Sequence, residues 1–122
     1  RQLDHGLGSL DVLPEVVDAV GGRAEIVLDG GVQRGSDVVK AIALGATTVA
    51  VGKLQGWALA SAGADGVRRM LEILENEIVS AMGLLGVTSM AELGPRFLHR
   101  AEPVTPPHEM SAWANLPGGR VL

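Results

Sequence analysis

Two short glycine-bearing segments hold the residues best suited to chemistry in this 122-residue chain. The first is Asp29-Gly30-Gly31-Val32-Gln33-Arg34-Gly35, and the second is Gly52-Lys53. Glycine has no Cβ, so the backbone N–H groups of such a turn can close on an anion. Consecutive N–H groups there form a concave anion site. Lys53 offers a full positive charge beside the second segment. A helix starting near Ser36 would add the partial positive charge of its N terminus. The natural ligand for this set is a phosphorylated one. Each turn taken singly reads more readily as a plain tight turn, and it is the pairing that favours binding. Asp29 has two readings. Its carboxylate could accept hydrogen bonds from ligand hydroxyls or orient a catalytic cation, or it could cap the N–H groups of its own turn.

The elements that must position these residues follow from periodicity. Ser9–Val20 reads as a helix, with Val12, Leu13, Val16, Val17 and Val20 as an apolar stripe and Ser9 or Asp11 as its cap. Pro14 is tolerable there only near the first turn. Glu25-Ile26-Val27-Leu28 reads as a strand apolar on both faces, as in a parallel sheet covered by helices. A helix over Ser36–Leu44 is capped by Ser36 and closed at Gly45. Thr47–Val51 is a second buried strand. A long helix spans Asp65–Leu85, with Val67, Met70, Leu71, Leu74, Ile78, Met82 and Leu85 facing inward and Arg68, Arg69, Glu72, Glu75 and Asn76 facing water. Met90–Leu93 supplies a last helical turn. From Gly94 onward, five prolines and Gly118-Gly119 break any regular element. That tail has Trp113 and Leu116 as candidate anchors; the alternative is a frayed terminus.

Alternating helices and strands with short links mean a parallel α/β arrangement. Two strands cannot bury both faces of a parallel sheet by themselves. The expected fold is therefore the C-terminal portion of a TIM (β/α)8 barrel, its last two strands and flanking helices, over residues 1–93, followed by an irregular tail over 94–122. Loops after the last two strands are the usual phosphate site of such a barrel. The first residue is Arg rather than Met, which reads as a processed chain or one piece of something longer.

Composition excludes several classes. A net charge of −4 and 2% aromatics argue against a nucleic-acid platform, which needs basic stripes and stacking rings. With no Cys there are no disulfides, thiolate zinc sites or Cys nucleophiles, which is compatible with the expected cytoplasmic location. Neither a signal peptide nor a membrane span is evident: the longest apolar run, Ala41–Gly52, is broken by Gly45, Thr47 and Thr48 and falls short of the ~20 residues a span needs. His5, His99 and His108 show no metal-ligand spacing, so no metal site is expected.

Several segments carry a specific resemblance. Arg1-Gln2-Leu3-Asp4, then Leu28-Asp29-Gly30-Gly31-Val32-x-Arg34-Gly35-Ser36-Asp37-Val38-Val39-Lys40-Ala41-x-Ala43-Leu44-Gly45-Ala46, then Val51-Gly52, and finally Met82-x-Leu84-Leu85-Gly86-Val87-x-Ser89-Met90-x-Glu92-Leu93 resemble the C-terminal part of the FMN-dependent 2-hydroxy acid oxidases and dehydrogenases. That family includes glycolate oxidase, lactate oxidase and mandelate dehydrogenase.

The resemblance implies oxidation of an (S)-2-hydroxy acid to the 2-keto acid, with FMN as cofactor. It implies that Arg1 grips the substrate carboxylate, which a guanidinium fork suits. The family's catalytic histidine falls three positions before that arginine, outside this chain. Asp29 matches a residue at the FMN ribityl chain, and Gly30, Gly31 and Gly52 match backbone donors to the FMN phosphate. Gln33 and Lys53 both stand where the family usually has Arg, and Leu54 where it commonly has Pro. Lys53 keeps the charge as a point rather than a fork, Gln33 brings none, and Arg34 next door either compensates or lies on the outer surface. Expected partners are a small 2-hydroxy acid, the rest of the barrel, and further copies of the same chain in a homo-oligomer, the family commonly forming tetramers.

Two rival readings remain at this level. One is another phosphate-binding barrel, similar to inosine monophosphate dehydrogenase or type 2 isopentenyl diphosphate isomerase, against which Arg1-Gln2-Leu3-Asp4 discriminates. The other is a non-catalytic subunit with a degraded flavin site, motivated by Gln33 and Lys53.

Overall fold

A parallel strand pair packed under helices forms the described part of the chain, which in this computed structural model is residues 6–100. The elements in order are α1 (Ser9–Val20), β1 (Val27–Asp29), α2 (Gly35–Ala43), β2 (Thr48–Ala50) and α3 (Lys53–Leu85). Two single 3-10 turns follow, Met90–Glu92 and Pro95–Phe97. The readings placed on Arg1, His5 and His108, and on Trp113 and Leu116 as tail anchors, lie outside the described residues.

The first helix has the bounds its apolar stripe predicts. Its cap differs: Gly8 takes the N-cap position and its carbonyl accepts the N–H groups of Asp11 (3.0 Å) and Val12 (3.3 Å). Neither Ser9 nor Asp11 caps it. Pro14 sits in the second turn and supplies no N–H to the Leu10 carbonyl. Gly21, left-handed at φ 54°, closes the helix by donating to the Val17 carbonyl.

β1 and β2 run parallel, with Val27 opposite Thr48, Leu28 opposite Val49 and Asp29 opposite Ala50. One face of this pair is covered and the other is open, as expected of two strands without flanking ones. Alternation sends Leu28 and Val49 toward the helices, where both join the core. Val27, 58% exposed, shares the other, open face with Thr48, Asp29 and Ala50. Thr47 ties the strand entrances together, since its hydroxyl accepts the Ile26 N–H at 3.0 Å while its own N–H goes to the Ile26 carbonyl at 2.8 Å.

Small side chains let α2 lie close to the sheet. Ala41, Ala43 and Ala46 are buried beside Val38 and Val39, and Leu13, Leu28, Val32, Val38, Ala41 and Ala46 form one contiguous core. α2 starts one residue earlier than expected, at Gly35, and Arg34 rather than Ser36 takes the N-cap position. A Cβ at Gly35 would stand 2.5 Å from the Glu77 Cβ and 2.6 Å from the Ile78 nitrogen, so only glycine lets α2 meet α3 there.

The long helix is the largest correction. It begins at Lys53, twelve residues before the expected Asp65, and is broken at Ala62 (φ −153°) and Gly63 (φ 58°, ψ −140°) into two helical segments. Met70 and Leu74 are buried as expected, but Leu71 is 54% exposed and lies off the buried stripe. Gly86 ends the helix in the left-handed region, as expected. The Met90–Glu92 turn is fixed by the Glu92 carboxylate, which accepts the N–H groups of Thr88 (3.0 Å) and Ser89 (2.8 Å); the Thr88 hydroxyl foremost, then the Thr88 N–H and the Ser89 hydroxyl and N–H, hold it below the usual glutamate range. Pro95 opens a second short turn where the prolines argued for none.

Leu28→Ala is expected to destabilise the protein by about 2–5 kcal/mol, as for other buried leucines. The check is a lowered denaturant midpoint at unchanged slope; a change within about 0.5 kcal/mol, typical of surface positions, would place Leu28 outside the core.

Candidate functional site

The strand register brings the two glycine segments to one end of the molecule. Asp29 and Ala50 are paired across the sheet, so the strands end level, and Gly30-Gly31 and Gly52 leave them side by side. Neighbouring strands stand about 4.8 Å apart. Gly30 (φ 116°) and Gly31 (φ 74°) both use backbone that side chains disfavour. Open space surrounds Gly31 and Gly52: a Cβ at either would meet no described atom within 4 Å. At Gly52 neither crowding nor a positive φ requires glycine.

Gly52 is also the N-cap of α3 and Lys53 its first residue. The first helical bond runs from the Gly56 N–H to the Gly52 carbonyl (3.0 Å), and no side chain caps the N–H groups ahead of it. Those donors and the helix dipole face outward as an anion-receptive end. Lys53 is exposed and makes no ion pair among the described residues. Asp29 is exposed on the open sheet face and bonds none of its own turn's N–H groups among the described residues, so the turn-capping reading finds no support.

α2 behaves differently from its expected role. The N–H groups at and just before its start are matched by carboxylates of the chain. Asp37 Oδ2 accepts the N–H groups of Gln33 (3.1 Å) and Arg34 (3.0 Å), and Glu77 Oε2 accepts the Gly35 N–H (2.7 Å). Arg34 turns its guanidinium to Glu77 Oε1, with Nε and a terminal nitrogen each at 2.9 Å. The partial charge of this helix is thus answered within the protein. Gln33 is half-buried and borders a groove of about 750 Å³ with Leu54, Trp57, Met70 and Leu74, which places it beside the start of α3. On the helix side of the sheet a second hollow, of about 390 Å³, is lined by Gly30, Gly31, Ser9, Asp37 and Lys40.

Glu77 and Asp37 escaped the sequence reading. Asp37 carries a local signal, a carboxylate two residues into a helix behind a glycine turn. Glu77 has none, because its partners lie 42 and 43 positions away. The Gly35 N–H foremost, and then Arg34, hold the Glu77 carboxyl below the usual glutamate range. Among the described residues no cluster of three or more metal-ligating side chains exists, and no helix is long and apolar enough to cross a membrane. His99 is exposed in the segment after the last turn.

By geometry this is a parallel α/β unit with an anion-receptive end. The model of the FMN-dependent dehydrogenase family matches residues 1–100, and the chain belongs to that family. It is 46% identical over 99 residues to an L-lactate oxidase of Nostoc sp., covering 81% of this chain and 27% of that protein. It is 54% identical over 86 residues to human 2-hydroxyacid oxidase 1, covering 70% of this chain and 23% of the relative. A solved mandelate oxidase mutant with (S)-mandelic acid superimposes with a TM-score of 0.72 at 50% identity, over 75% of this chain and 27% of that one. A related mandelate oxidase structure with a monooxide FMN adduct gives the same TM-score and identity, over 75% of this chain and 29% of that one. The chain spans about a quarter of the length of the relatives it matches.

The position of Glu77 predicts an acid dependence. A depressed carboxyl stabilises the fold above the ordinary glutamate range and loses that contribution as pH falls through its lowered value. Stability measured down an acid series should therefore decline more steeply in the wild type than in Glu77→Gln; equal slopes would show that Glu77 contributes nothing to acid sensitivity.

Proposed function

We propose that this segment forms the last two strands and flanking helices of a (β/α)8 barrel and supplies the phosphate end of an FMN site. The enzyme so formed oxidises an (S)-2-hydroxy acid to the 2-keto acid. The observation that carries the reading is the convergence, at one strand end, of two open glycine turns and of a helix start and an ammonium that meet no partner side chain among the described residues. The open sheet face bearing Val27 and Asp29 supports the barrel, since an exposed valine on a parallel sheet calls for covering strands.

The residues fit a dianion. N–H groups of Gly30, Gly31 and Gly52 and those opening α3 donate to the phosphate oxygens, and glycine at 31 and 52 leaves room for close approach. Lys53 balances charge. Gln33, beside Leu54, offers a neutral partner at the rim. Arg34 is engaged by Glu77, so its part is to hold the turn, and the cationic role passes to Lys53. Asp29, facing the open side, accepts from hydroxyls of the ribityl chain. Arg1 binds the substrate carboxylate through its fork, and a histidine from outside this chain takes the substrate proton. A bound flavin supplies the two-electron acceptor, while the protein orients the substrate and sets the surrounding charge.

The test uses the full-length protein. It should carry a yellow flavin or take up added FMN, and a 2-hydroxy acid should bleach that colour in the absence of oxygen. A colourless protein that takes up no FMN overturns the reading. Lys53→Met should weaken FMN binding roughly ten- to a hundredfold, the worth of one charge-assisted hydrogen bond, while Lys53→Arg should not weaken it.

A further inference from the structure

Glu77 stands on α3, far along the chain from either glycine turn, yet it holds the segment that leaves the first one. Its Oε1 accepts from Nε and a terminal nitrogen of Arg34, each at 2.9 Å, and its Oε2 accepts the Gly35 N–H at 2.7 Å. A carboxylate meeting a guanidinium through two nitrogens and a backbone donor besides fixes geometry far better than a single surface ion pair. The fit is also steric. Gly35 is pressed against α3 so closely that a Cβ would stand 2.5 Å from the Glu77 Cβ, 2.6 Å from the Ile78 nitrogen and 2.7 Å from the Leu74 carbonyl oxygen. Asp37 completes the anchoring by accepting the N–H groups of Gln33 and Arg34. Three consecutive N–H groups, at 33, 34 and 35, are thereby fixed, and Gly31 lies only two residues ahead of them.

We propose that Glu77 is a positioning residue for the flavin phosphate site: through Arg34 and Gly35 it sets where the Gly30-Gly31 turn stands relative to Gly52 and Lys53. This rests on the reading of that site given above. It explains why an arginine beside an anion site directs its guanidinium away to a carboxylate. The fork of Arg34 serves as a strut, with its charge answered by Glu77. It also gives α2 and α3 a shared task. α3 contributes Lys53 at its start and, past the break at Ala62–Gly63, the carboxylate that orders the other half of the cup.

The experiment compares FMN with riboflavin, which lacks the phosphate, as ligands of the full-length apoprotein. Glu77→Gln keeps the size of the side chain and one acceptor for Gly35 but removes the charge that holds Arg34. The preference for FMN over riboflavin should fall about tenfold while riboflavin affinity stays within about twofold, because only the phosphate contacts are displaced. A merely structural glutamate would lower the melting temperature and leave the preference unchanged, and that result overturns the proposal. If Glu77→Gln does not accumulate folded, Glu77→Asp serves: it retains the charge but is too short to span Arg34 and Gly35 together, and the same loss of preference is expected. A wild-type protein with no preference for FMN overturns the reading of the site and the proposal with it. A wild-type preference that survives both substitutions overturns the proposal alone.

Discussion

Level pairing of the two strands is the constraint on which the rest of the structure depends. Because Asp29 faces Ala50 across a parallel ladder, whatever follows each strand must emerge at the same end and at the same height. α2 must then return the chain to the opposite end before β2 can begin. Its alanines at 41 and 43, with Ala46 just beyond, permit the close contact with the sheet that so short a return needs. The glycine turns are neighbours as a consequence of this topology and require no long-range contact of their own.

Electrostatics then separates two helix starts that look alike in sequence. Both follow a strand and a glycine, and both present unpaired donors in principle. At α2 Asp37 and Glu77 accept the N–H groups of residues 33–35, which makes that end a structural joint. At α3 no side chain among the described residues caps them, and Lys53 adds charge of the same sign.

Much of this was legible in the residues. α1 matched its expected bounds, the two strands fell within a residue or two, and the order of elements followed from alternation of helix and strand patterns. Asp29, Gly30, Gly31, Gly52 and Lys53 were recognisable because strand ends and glycines mark turns locally. The remainder depended on distance along the chain. The first segment of α3 was missed because Gly52, Gly56 and Gly63 argue against a helix; it forms nonetheless, without a side-chain cap and with most of its residues exposed. Arg34 could be placed beside a ligand or on the surface with equal reason until Glu77 was seen beside it. Leu71 fitted the helical period but falls outside the buried stripe, since α2 covers only a narrow band of α3 around Leu74 and Ile78.

The break at Ala62–Gly63 has one more consequence. A continuous rod would force the axis beginning at Lys53 to obey the packing of Met70, Leu74 and Ile78 against the rest of the protein. With the rod divided, the short piece from Lys53 to the break continues the chain directly from β2, and the longer piece packs against α2. Gly63, at φ 58° and ψ −140°, provides the change of course in a conformation few other residues adopt. The aim of one dipole and the seating of a core helix thus become separate problems.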